Sequence, residues 1–115
     1  MNKLEFDKFK DYLKNIKKSK NLVILFIYSD LYPYSCSKNN SENLLLKLCD
    51  LPIDFFKLNI EKHKEIENKF FLTGIPCFLL LRNNKLISII NGFNTNKIRK
   101  EILDVLNFNC IFKIN

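Results

Sequence analysis

Alanine, glutamine and tryptophan are absent from this 115-residue sequence, and glycine occurs only twice, proline three times and histidine once. Two glycines exclude a glycine-rich phosphate loop, whose backbone must approach the ligand without side chains in the way. Glycine and proline are also too sparse to form a linker, and no internal repeat is visible. A single histidine without a Cys-x-x-Cys pair leaves no zinc-type ligand set, so neither a metal nor another cofactor is expected. The longest apolar run, Leu22 to Tyr28, is seven residues, far short of the ~20 needed to cross a bilayer. The start, Met1 to Asp7, mixes charges among apolar residues and lacks the apolar centre of a signal peptide. These absences predict a cytoplasmic protein that does not engage a membrane. Its four cysteines, Cys36, Cys49, Cys77 and Cys110, are expected to be free thiols in a reducing compartment rather than a disulfide framework.

What the sequence does contain is lysine and asparagine. Lysine supplies 17 of the 19 positive charges, asparagine occurs 16 times, and the net charge is +7. Both residues, like isoleucine and phenylalanine, are spelled by A- and T-rich codons, so a nucleotide-composition bias gives this pattern without a binding function. The lysines run along the whole chain instead of clustering, and nucleic acid is not expected as a partner. Apolar residues make up 47%, enough for one core in one domain over residues 1–115, with its centre at about 4–106 and a tail at 107–115.

Periodicity orders the elements. Phe6, Phe9, Leu13 and Ile16 form a helical stripe within Leu4 to Lys18, with Asn2 and Glu5 as a capping box and Lys17, Lys18 and Lys20 at the dipole's negative end. Leu22 to Tyr28 is apolar on both alternating faces, as a central strand of a covered sheet must be. A second helix is expected over Ser37 to Asp50. Ile53 to Ile60 alternates Phe56, Leu58 and Ile60 with Lys57 and Asn59, the period of a strand. A short helix over His63 to Phe71 follows, with His63 solvated among charges. Cys77 to Arg82 and Leu86 to Ile90 form a hairpin through Asn83-Asn84, because asparagine tolerates positive φ. Gly92 ends the hairpin. Thr95 caps a last helix, Asn96 to Leu106, with Ile98, Ile102, Val105 and Leu106 inward. The first β-α-β crossover is parallel and right-handed, which gives a sheet order of strand two, one, three, four with helices on both faces.

Four local matches in this order resemble the thioredoxin family: the strand Leu22 to Tyr28, the segment Phe56-Lys57-Leu58-Asn59-Ile60-Glu61, the loop Gly74-Ile75-Pro76 and the glycine Gly92. The resemblance implies an α/β thioredoxin-like fold, a mixed sheet of four or five strands sandwiched by helices, with a cis-proline at Pro76. Thioredoxin chemistry needs C-x-x-C at a helix N-terminus, where the dipole lowers the first thiol's pKa and the second cysteine resolves the mixed disulfide. Two alignments of the corresponding stretch are open, Pro33-Tyr34-Ser35-Cys36 and Tyr32-Pro33-Tyr34-Ser35, and neither puts a cysteine in the attacking position. Ile27 stands where the first alignment places the family's buried aspartate.

Two functions from different classes follow. In one, the domain binds a protein or peptide through a tip of Leu31, Tyr32, Pro33 and Tyr34 beside Ile75, Pro76 and Phe93, since clustered exposed aromatics are good anchors. Lys57 to Lys62, Ile75-Pro76 and Gly92-Phe93 also resemble phosducin-like co-chaperones of the cytosolic chaperonin, although those carry a long N-terminal helical region and only one helix precedes the first strand here. In the other, the domain is an atypical thiol-disulfide oxidoreductase acting through Cys36, alone or paired with Cys77, which directly follows Pro76.

Overall fold

The structure is a computed structural model, and it describes residues 3–31, 50–70, 72, 74–92 and 94–114. The elements in chain order are β1 (Lys3–Leu4), α1 (Phe9–Lys18), β2 (Leu22–Tyr28), β3 (Ile53–Asn59), α2 (Glu65–Lys69), β4 (Cys77–Arg82), β5 (Lys85–Asn91) and α3 (Thr95–Ile114). The five strands form one sheet in the order β1-β3-β2-β4-β5. The β1–β3 and β2–β3 pairs are parallel, and β2–β4 and β4–β5 are antiparallel. This is the order read from the sequence, with β1 added as a fifth strand on the β3 edge. The helix expected over Ser37 to Asp50 lies outside the described residues except for Asp50.

All seven residues of β2 are buried, because both faces of the sheet are covered. One face gathers Val23, Leu25 and Ile27 with Phe56, Leu58, Leu79 and Leu81 under Tyr12 and Ile16 of α1 and Ile66 of α2. The other gathers Leu22, Ile24 and Phe26 with Phe55, Phe78 and Leu80 under Ile98 and Ile102 of α3. Each fully buried side chain of this size contributes about 1.5–3 kcal/mol. The central strand therefore outweighs any single polar contact.

The turn chemistry acts as its residues predict. Asn83 (φ 52°) and Asn84 (φ 64°) are both left-handed, and Gly92 follows β5 at φ 82°. The Ile75–Pro76 peptide bond is cis.

Several expectations are corrected. The first helix begins at Phe9 and not at Leu4, its N-cap Lys8 makes no side-chain cap bond, and Glu5 accepts the Tyr28 hydroxyl at 2.6 Å instead of completing a capping box. Phe6 leaves the helical stripe and packs edge-on against Tyr12. Asn94, not Thr95, caps α3, its Oδ1 accepting the Lys97 N–H at 3.1 Å. That helix runs past Leu106 to Ile114. Asn59 is buried rather than outward-facing, since β3 is covered on both faces. His63 is 3% exposed, not solvated. Its Nε2 lies 3.1 Å from the Phe6 carbonyl and its ring meets Tyr12 edge-on, so the aromatic wall of Phe6 and Tyr12 shields it.

Candidate functional site

The parallel strands β2 and β3 end side by side, and ligands of open α/β sheets bind beyond such carboxyl ends. A polar lattice holds this end together. The Ser29 hydroxyl donates to Glu61 Oε1 at 2.8 Å and accepts the Leu31 N–H at 3.1 Å. Asn59 Nδ2 donates to Asp30 Oδ2 at 2.6 Å, and its Oδ1 accepts the Glu61 N–H at 3.1 Å. Ser29 and Asn59 are themselves buried, so these bonds satisfy groups that would otherwise be costly to desolvate. Next to them the Tyr28 hydroxyl donates to Glu5, and Lys57 Nζ sits 4.7 Å from the Tyr28 ring centre. Burial, and then the Glu5 carboxylate, push the Tyr28 phenol well above its ordinary range.

From this anchored turn the chain emerges at Leu31, which is 70% exposed. The last ladder pair of β2 and β4 is Ile27 with Cys77. The end of β2 and the Ile75-Pro76 turn that enters β4 therefore lie at the same end of the sheet. Gly74 is exposed, and Ile75 and Pro76 are half-buried. The Gly92 N–H donates to the Pro76 carbonyl at 2.8 Å, tying this turn to the end of β5. The main-chain N–H and carbonyl of Ile75 make no hydrogen bond to a described residue. Leu31, Ile75 and Pro76 are thus brought to one end of the sheet. Tyr32, Pro33, Tyr34, Cys36 and Phe93 lie outside the described residues, as does Cys49.

Cys77 is fully buried against the apolar face that holds Ile27. Burial alone pushes its thiol from 9.0 up to about 12, so it is protonated at neutral pH. Ile27 offers no proton carrier beneath the turn. Among the described residues, no group of three or more His, Cys, Asp or Glu side chains gathers where a metal ion could bind. Among them, too, no helix is long and apolar enough to cross a membrane.

Sequence reasoning did not pick out the lattice of Ser29, Asp30, Asn59 and Glu61. The available signal was positional: small polar residues directly after an all-apolar strand, and an asparagine closing the strand beside it.

A mixed sheet in this order, covered on both faces, with a cis-proline before the first antiparallel strand, defines a thioredoxin fold. The solved structures agree. Thioredoxin from Schistosoma mansoni superposes with a TM-score of 0.80 at 16% identity, covering 90% of this chain and 94% of that one. Thioredoxin from Trypanosoma brucei brucei gives 0.76 at 17% identity, covering 92% of each chain. A thioredoxin from Nicotiana alata gives 0.74 at 19%, covering 89% and 90%. The sequence matches no protein-family model and no curated protein.

Proposed function

We propose that this thioredoxin-fold domain is a binding module that captures a protein or peptide without dithiol chemistry. It would use the tip of Leu31, Tyr32, Pro33 and Tyr34 together with Ile75, Pro76 and Phe93. The observation that carries this reading is the Ile75 main chain, unpaired among the described residues and at the same end of the sheet as the exposed Leu31. An extended peptide laid along such a segment can pair with its N–H and carbonyl and add apolar contact. The absence of any Cys-x-x-C from the sequence supports the same reading, because thiol exchange of the thioredoxin type needs an attacking and a resolving thiol. The likeness of Lys57 to Lys62, Ile75-Pro76 and Gly92-Phe93 to phosducin-like co-chaperones points to a folding-associated partner.

The competing reading is a single-cysteine oxidoreductase. The Cys36 thiolate would attack a substrate disulfide, form a mixed disulfide and release the other half as a thiolate. Cys77 is a poor second thiol for this purpose, being buried and protonated.

Partners crosslinked to the tip, identified by mass spectrometry and then purified, give a direct binding assay. Tyr32→Ala and Tyr34→Ala are expected to weaken binding with little change in melting temperature. Cys36→Ser is expected to leave it unchanged. Insulin-disulfide reduction above background that disappears in Cys36→Ser would favour the oxidoreductase instead.

A further inference from the structure

Lysines run along the whole chain, but one segment holds more than its share. Residues 7–20 hold six lysines against Asp7 and Asp11, four of the chain's seven net positive charges. Helix α1 turns Tyr12 and Ile16 into the core, with Phe9 and Leu13 half-buried, and leaves Lys10, Lys14, Lys17 and Lys18 exposed, as are the flanking Lys8 and Lys20. Lys10, Lys14 and Lys17 follow at four- and three-residue steps, which places them in one stripe roughly 10 Å long. None of the six forms an ion pair with a described residue. As like charges one helical turn apart, they repel one another.

Two ordinary explanations fall short. The helix dipole suits Lys17 and Lys18 in the last turn but is opposed by Lys8 and Lys10 at the first. An A- and T-rich codon bias yields asparagine as readily as lysine, and the whole chain has 16 and 17 of them. Residues 7–20 nevertheless contain a single asparagine, Asn15.

We propose that the outward face of α1 is a docking surface for an acidic segment of a protein partner. Charge complementarity is its basis, since opposed potentials steer encounter and select against wrong partners. A membrane is a poor match, because the apolar residues of α1 face the sheet and leave nothing to insert. Nucleic acid fits less well, because both arginines, Arg82 and Arg99, lie elsewhere and no aromatic of α1 is exposed to stack on a base. A second copy of the chain carries the same +7 and is repelled. This inference stands on α1 alone and does not depend on the cis-proline turn.

The test uses the full chain and a fluorescent peptide of about twelve residues rich in glutamate, read by anisotropy at roughly 0.15 M salt. Lys10→Glu/Lys14→Glu/Lys17→Glu is compared with Lys62→Glu/Lys85→Glu/Lys97→Glu, an equal change in net charge at three exposed lysines elsewhere. The α1 variant is expected to lose on the order of tenfold or more in affinity, and the control no more than about threefold. Melting curves check folding, and Lys10→Gln/Lys14→Gln replaces the triple variant if that one unfolds. Equal losses in both variants, or no saturable binding by the wild-type chain, would overturn the proposal. So would tighter binding of a single-stranded oligonucleotide of matched charge.

Discussion

The Asn59 side chain donates to the Asp30 carboxylate at 2.6 Å, joining the last residue of β3 to the turn that leaves β2. Asn59 is 2% exposed, and its other amide atom holds the Glu61 N–H, so a single side chain braces both turns beneath the tip. Asn59→Ala removes this brace and leaves the Glu61 N–H without its acceptor. The expected cost is about 1–3 kcal/mol in urea denaturation. Faster amide exchange at Leu31 and Glu61 should accompany it. An unchanged midpoint would mean that the brace contributes nothing to stability.

Tyr12 performs a similar task at the sheet's edge. β1 pairs only with Phe55 and Phe56 of β3, and the next β3 carbonyl, that of Lys57, accepts the Tyr12 hydroxyl. The Tyr12 hydroxyl oxygen in turn accepts the Phe6 N–H at 3.0 Å. Tyr12→Phe keeps the ring in the core but strands both backbone groups. A loss of about 1–3 kcal/mol is expected, with increased exchange at the Phe6 amide. A variant as stable as wild type would argue that water satisfies these groups instead.

Alkali should unfold the protein early. Burial holds the Cys77 thiol and the Tyr12 phenol up to about 12, from 9.0 and 10.0, and raises Tyr28 as well. Between the unfolded and folded values these groups ionise only in the unfolded chain, which then binds fewer protons than the native state. Stability therefore falls as pH rises from about 9 towards about 12. Urea midpoints measured at pH 8, 9, 10 and 11 should decline, and Cys77→Val should flatten the early part of the decline. A flat profile contradicts this. The same burial predicts that iodoacetamide modifies Cys77 at neutral pH only after denaturation, a result that mass spectrometry reads directly.

The hairpin offers a test of backbone conformation. Asn84 sits at φ 64°, where a β-branched side chain crowds its own carbonyl. Asn84→Val is expected to cost roughly 1–2 kcal/mol, whereas Asn84→Gly should stay within about 0.5 kcal/mol of wild type. Equal stabilities for the two variants would show that the turn relaxes to another geometry.

Elements whose signals are local can be read directly along the chain. Leu22 to Tyr28 announces a central strand because seven apolar residues in a row need cover on both faces. Asn83-Asn84 announces its hairpin because few residues tolerate two consecutive positive φ angles. Ile98 and Ile102 mark the inward face of the last helix, and the cis turn at Gly74-Ile75-Pro76 follows from its resemblance to the thioredoxin loop. Residues whose partners lie far along the chain take their places through folding alone. His63 reads as solvated among its charged neighbours, yet it is buried because Phe6, 57 residues earlier, supplies a carbonyl. Asn59 reads as the outward half of an alternation, yet its partner Asp30 is 29 residues away. Strand β1 is two residues long and exists through its pairing with Phe55 and Phe56. The six lysines of residues 7–20 share an exposed surface only because α1 turns Tyr12 and Ile16 into the core. Apolar periodicity and turn geometry are properties of neighbouring residues and can be read in order. The burial of a polar group depends on a donor or acceptor that folding brings from elsewhere, and no local pattern encodes it.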